Sequence, residues 1–138
     1  MTWWWESIHG ANLYHPWSAL ARFLDGTAIA SPHLQPASAT VKDALARVWA
    51  VATPREALIW LLNPAANWPE GANLESPPSV SGAVGTVPAM DDGPYSVEWS
   101  DTLEGKVVAT AEDRATTGQL TLTAPDFRVD LAARVKKR

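Results

Sequence analysis

Three histidines, fifteen carboxylate side chains and eight tryptophans are the residues of this 138-residue chain equipped for chemistry or stacking, and there is no cysteine. The absence of cysteine excludes disulfides, thiolate nucleophiles and cysteine-type zinc sites. His9, His15 and His33 do not stand at i, i+4 spacing, so they read as loop and helix-start residues and no metal site is expected. No nucleophile-elbow serine motif, zinc-protease helix motif, phosphate-binding glycine loop or dinucleotide fingerprint occurs, and no cofactor is expected. Acid/base catalysis by carboxylates needs two of them held about 5–10 Å apart in a cleft. Only Glu6 falls at the C-terminal end of an expected strand, and one carboxylate cannot fill both roles. Asp91 and Asp92, beside Gly93, have oxygen ligands that suit calcium, but the rest of a calcium loop is missing and a solvated turn is the expectation. Asp130 is expected to accept hydrogen bonds at a strand edge. The chain is therefore not expected to be an enzyme.

The tryptophans divide by context. Trp49, Trp60 and Trp99 lie in strand patterns and Trp17 in a helical stripe, so all four are expected in the core. Trp68 sits in the polar, proline-braced run Asn63-Pro64-Ala65-Ala66-Asn67-Trp68-Pro69-Glu70. There it is either a platform for a sugar face, with Asn67 supplying hydrogen bonds, or a ring folded over a sheet edge. Trp3, Trp4 and Trp5 cannot all face one side of a strand, so one of them is expected to be exposed or to cover a partner.

The elements that must position these residues follow from periodicity. Residues 1–26 read as a strand-helix unit. Met1–Trp5 is a short apolar run, and Leu13, Trp17, Leu20, Ala21 and Leu24 take helical spacing behind Pro16. Asp25-Gly26 is the expected stop. Residues 27–39, with Pro32 and Pro36, read as a linker. Residues 40–138 read as all-β, with strand patterns around 48–52, 57–62, 80–87, 95–100, 106–111, 119–123 and 127–135. In the last of these Phe127, Val129, Leu131, Ala133 and Val135 are expected on one face. The expected fold is mainly β: an antiparallel sandwich of about seven to eight strands preceded by a short β-α segment.

Fifteen acidic against eleven basic residues leave a net charge of −4, which is no footprint for nucleic acid or for an anionic membrane surface. No apolar run approaches the roughly 20 residues of a membrane helix. The first residues lack the pattern of a signal peptide, and the compartment is left open. A lone strand at 1–5 would leave backbone groups unpaired, at a cost of several kcal/mol if buried. Residues 1–26 are therefore expected to repack on the sandwich, to associate with another chain (a second copy included), or to be disordered.

Met1-Thr2-Trp3-Trp4-Trp5-Glu6, Asn12-Leu13-Tyr14-His15 and Ala19-Leu20-Ala21-Arg22-Phe23 resemble the last β-α unit of (β/α)8-barrel glycoside hydrolases of the cellulase and β-mannanase type. Ala57-Leu58-Ile59-Trp60-Leu61, Gly93-Pro94-Tyr95-Ser96-Val97-Glu98-Trp99-Ser100-Asp101-Thr102, Gly105-Lys106-Val107-Val108 and Ala124-Pro125-Asp126-Phe127-Arg128-Val129-Asp130-Leu131-Ala132 resemble the β-sandwich that follows such barrels. They are similar as well to the terminal sandwich, named for collagen binding, of barrel proteins described as collagenases. The resemblance spans nearly the whole chain. It implies a non-catalytic accessory domain that binds or positions polysaccharide, or one that buttresses a catalytic barrel; an intact small glycosidase is a third, remoter reading. The catalytic carboxylates of that family lie on barrel strands with no counterpart here. The resemblance places Trp5, or Trp3, where the family floors a sugar subsite, and its enzymes are often secreted. The expected partners are thus a polysaccharide or a catalytic barrel domain, with neither nucleic acid nor membrane.

Overall fold

The computed structural model describes residues 3–42, 46–66 and 77–138. The order of elements is α1 (Trp3–Gly10), α2 (His15–Leu24), β1 (Gln35–Ala37), β2 (Thr40–Lys42), β3 (Arg47–Thr53), β4 (Glu56–Leu62), a 3-10 turn (Pro64–Ala66), β5 (Val84–Pro88), β6 (Gly93–Ser100), β7 (Val107–Ala115), β8 (Gln119–Thr123) and β9 (Asp130–Lys137). The fold is mainly β. Six strands in the order β1-β3-β4-β9-β6-β7 form one antiparallel sheet, and β2-β5-β8 form a second. Alternation on β6 sends Tyr95, Val97 and Trp99 inward; β4 contributes Ala57, Ile59 and Leu61, and β9 Leu131, Ala133 and Val135. These meet Val87, Leu120 and Leu122 of the smaller sheet in one buried core, the arrangement of a β-sandwich.

Four expectations are corrected. Residues from Trp3 onward form helix α1 where a strand was expected. Among the described residues no strand pairs with this run, and a helix satisfies its backbone groups locally, as the bonds from Ala11 N–H to Ser7 O (3.0 Å) and from Leu13 N–H to Ile8 O (3.0 Å) do at its end. Second, the expected linker holds β1, which pairs with β3; Pro36 is tolerated because β1 is an edge strand. Third, Val129 is exposed. Phe127 exchanges backbone bonds with Val80, the chain bends at 128–129, and β9 starts only at Asp130, so the alternation is broken there. Fourth, of the four tryptophans expected in the core only Trp99 is buried, at 3% exposure, while Trp17 is 68% exposed.

Helix α2 begins with Pro in its first turn and ends at Asp25, whose N–H bonds to Ala21 O, with Gly26 at positive φ. It lies on the outer face of the six-stranded sheet. Ala19, 1% exposed, meets Gly105 in the β6–β7 connection so closely that a Cβ on Gly105 would stand 2.6 Å from the Ala19 Cα. Arg22 donates to the Glu104 carbonyl (2.8 Å), Arg134 to the Asp25 carbonyl (2.7 Å), and the Ala28 N–H to the Glu56 carboxylate (2.8 Å). Residues 15–28 are thus repacked onto the sandwich. Among the described residues no helix is long and apolar enough to cross a membrane.

Candidate functional site

The two-residue turn Pro54-Arg55 sets β3 against β4 with Thr53 opposite Glu56, which places Trp49 opposite Trp60. Directly opposed residues share a face, and here it is the outer one. The two indoles stack with centroids 4.9 Å apart and planes 29° from parallel, and they stay 47% and 40% exposed. Trp60 is held from its edge: its Nε1–H donates to Asp130 Oδ2 at 3.0 Å, while the Thr102 hydroxyl donates to the other oxygen, Oδ1. Asp130 thereby ties the end of β9 to β4 and to the β6–β7 connection, the hydrogen-bond acceptor its position suggested.

This pair lies in a cleft of about 700 Å³ between α2, the segment after it and the sheet. Leu20, Phe23, Leu24 and Ile29 form one side and Leu58 part of the floor, with Ser100, Asp101 and Thr102 at the end of β6. Leu58, on the outer face of β4, is only 6% exposed because this N-terminal layer covers it. Asp101 is itself tied into the connection, its Oδ1 accepting the Glu104 N–H at 2.6 Å. A second hollow of about 770 Å³ shares Asp101, Thr102 and Asp130 with the neighbourhood of the first and is bordered by Pro16, Leu103, Val108 and Arg128.

Of the residues singled out by sequence, the described ones, Trp5, Asp91 and Asp92, do not line this cleft. Asn67 and Trp68 lie outside the described residues, as does the side chain of Trp3. Trp5 is 51% exposed on α1 and so stands on a helix, not at the end of a strand. Asp91 and Asp92 hold loops. The Asp91 carboxylate lies 3.5 Å from Lys137 Nζ and its N–H donates to Pro54 O, while Asp92 Oδ1 accepts the Gly118 N–H. No group of three or more potential metal-ligating side chains occurs among the described residues. Trp49 and Trp60 are the aromatic residues that sequence reasoning missed, and the signal that finds them is the short Thr53–Glu56 turn that puts them in register. No protein-family model and no curated protein matches the chain.

Proposed function

We propose that this chain is a non-catalytic accessory β-sandwich of a glycan-degrading protein and that it holds polysaccharide against Trp49 and Trp60. The observation that carries the reading is the stacked, half-exposed indole pair, fixed by Asp130 in an open cleft with a carboxylate and two hydroxyls at one wall. Indole faces suit the apolar C–H faces of pyranose rings, and a few polar groups orient the hydroxyls. The resemblance to the terminal part of cellulase- and mannanase-type enzymes supports the same ligand class. Mannan, cellulose and xylan are the probes for pull-down and calorimetry. At least one is expected to bind with a micromolar to millimolar Kd, the range left by a few stacked rings after association costs. Trp60→Ala is expected to weaken that binding by about tenfold or more, with Trp68→Ala as the comparison. Retention on none of the three polymers overturns the proposal.

A specific observation favours a second reading, a domain that buttresses a catalytic barrel. Helix α2 is seated on the sandwich through the Gly105–Ala19 contact, as a helix closing a barrel would be, and its neighbourhood is apolar. That reading expects no affinity for polysaccharide and tight association with a (β/α)8 barrel supplied separately.

A further inference from the structure

The cleft is more apolar than an unmodified sugar chain needs. Beyond the two indoles its walls are Leu20, Phe23, Leu24, Ile29 and Leu58. None of these offers a hydrogen bond, and a polyol laid along them would give up hydration without compensation. The polar side chains of the lining are consecutive, Ser100, Asp101 and Thr102, so they stand together, and Thr102 reaches Trp60 through the shared Asp130 carboxylate. Indoles and polar groups therefore form one end and the aliphatic wall the remainder. Asp101 is the one charged residue of the lining among the described residues. A single negative charge and no cation in that lining suit an uncharged head rich in hydroxyls and disfavour carboxylate, sulfate or phosphate heads. The volume, about 700 Å³, falls within the usual range for small-molecule sites.

We infer, on the footing of the glycan reading above, that the cleft takes an uncharged glycoside carrying an apolar substituent. The sugar ring lies on Trp49 and Trp60 with its hydroxyls toward Asp101, and the alkyl or aryl group lies against Leu20, Phe23, Leu24, Ile29 and Leu58.

Intrinsic tryptophan fluorescence and calorimetry on the full chain test this with three probes: octyl β-D-glucoside below its micelle concentration, methyl β-D-glucoside, and octanoate. The octyl glucoside is expected to bind at least about tenfold more tightly than the methyl glucoside, since each buried methylene adds to the transfer free energy, and octanoate more weakly than the octyl glucoside. Ile29→Asp and Leu20→Asp, at positions 48% and 46% exposed, are expected to weaken octyl glucoside by about tenfold or more and so abolish the octyl preference, with an unchanged melting transition showing that the fold is kept. Equal affinity for the two glucosides overturns the apolar subsite while the glycan reading stands. Octanoate binding as tightly as octyl glucoside overturns the uncharged head. An octyl preference that survives both substitutions places the chain elsewhere and overturns the assignment, as does a concentration-dependent dimer whose formation excludes octyl glucoside. Loss of polysaccharide binding together with binding of octyl glucoside would sink the glycan reading alone.

Discussion

Asp113 stands in the inward row of β7 with Ala111 and Ala115, opposite Tyr95 of β6, where alanine is otherwise the rule. Burial disfavours its charged form and raises its pKa above the ordinary aspartate value. A folded-state pKa above the unfolded one means that the folded chain binds this proton more tightly. The contribution is favourable in full below the unfolded value, near pH 4, and is lost as pH rises through the folded value, so at neutral pH the ionised group is a liability. Asp113→Asn is expected to raise the Tm at pH 7 by on the order of one or two degrees and to flatten the fall of stability as pH rises from about 4, as thermal melts from acid to neutral pH would read out. Tyr95 makes the opposite case. It is fully buried, and its hydroxyl lies 2.9 Å from Pro54 O and 2.8 Å from Asp91 O, joining the β3–β4 turn to the loop before β6. Pro54 O also accepts the Asp91 N–H, so removing the hydroxyl orphans chiefly the Asp91 carbonyl. Tyr95→Phe is expected to cost about 1–3 kcal/mol, measured by denaturant unfolding.

Element by element, the sequence was most legible where alternation and turn chemistry agree. Tyr95, Val97 and Trp99 on β6, and the pair of runs joined at Pro54-Arg55, need nothing beyond period two and a short turn. Trp49 and Trp60 sit in strands whose pattern is plain in the sequence, yet residue type alone sends any strand tryptophan inward. Register carries the missing information, because Ala50 and Ile59 oppose one another on the buried side and so put their neighbours outside. Trp3 to Trp5 had no such anchor: a short apolar run has the same appearance in a strand and in a helix, and only the absence of a pairing partner decides. The seating of α2 was equally invisible, since it depends on one glycine 86 positions along the chain from Ala19 by sequence number. Gly105 has φ +63°, and a methyl group there would meet the Ala19 backbone. Gly105→Ala is therefore expected to lift α2 from the sheet. Amide exchange in α2 and cleavage by trypsin after Arg22 should accelerate by about tenfold or more, while amides of β4, β6 and β9 keep their protection. Unchanged protection of α2 would refute this account of its seating.

At the scale of the whole molecule the chain has two layers of unequal standing. Every member of the continuous buried core lies between Ala50 and Val135, and Ala19 is the one buried residue described before β1. The sandwich therefore carries its own stability, and residues 15–29 act as a cover for one face of it. What that cover adds is the burial of Leu58 and the side-chain anchors from Arg22, Arg134 and Glu56 to backbone groups. Uncovering one leucine costs about 1.5–3 kcal/mol, and the half-exposed anchors about 0.5–1.5 kcal/mol each. These gross gains, about 3–7.5 kcal/mol together, are offset by the conformational entropy of ordering the cover, so its net contribution is only part of the about 5–15 kcal/mol that holds a domain folded. A chain starting at residue 31 is therefore expected to unfold in a single cooperative transition, with a Tm lowered by several degrees. It should bind hydrophobic dye more strongly, because the aromatic outer face is then open to water. It should also lose the octyl preference, since Leu20, Phe23, Leu24 and Ile29 leave with the cover while Trp49 and Trp60 stay. Melts without a cooperative transition would show instead that the N-terminal layer is part of the folding unit, and the sandwich could no longer be treated as the scaffold on which the cleft is assembled.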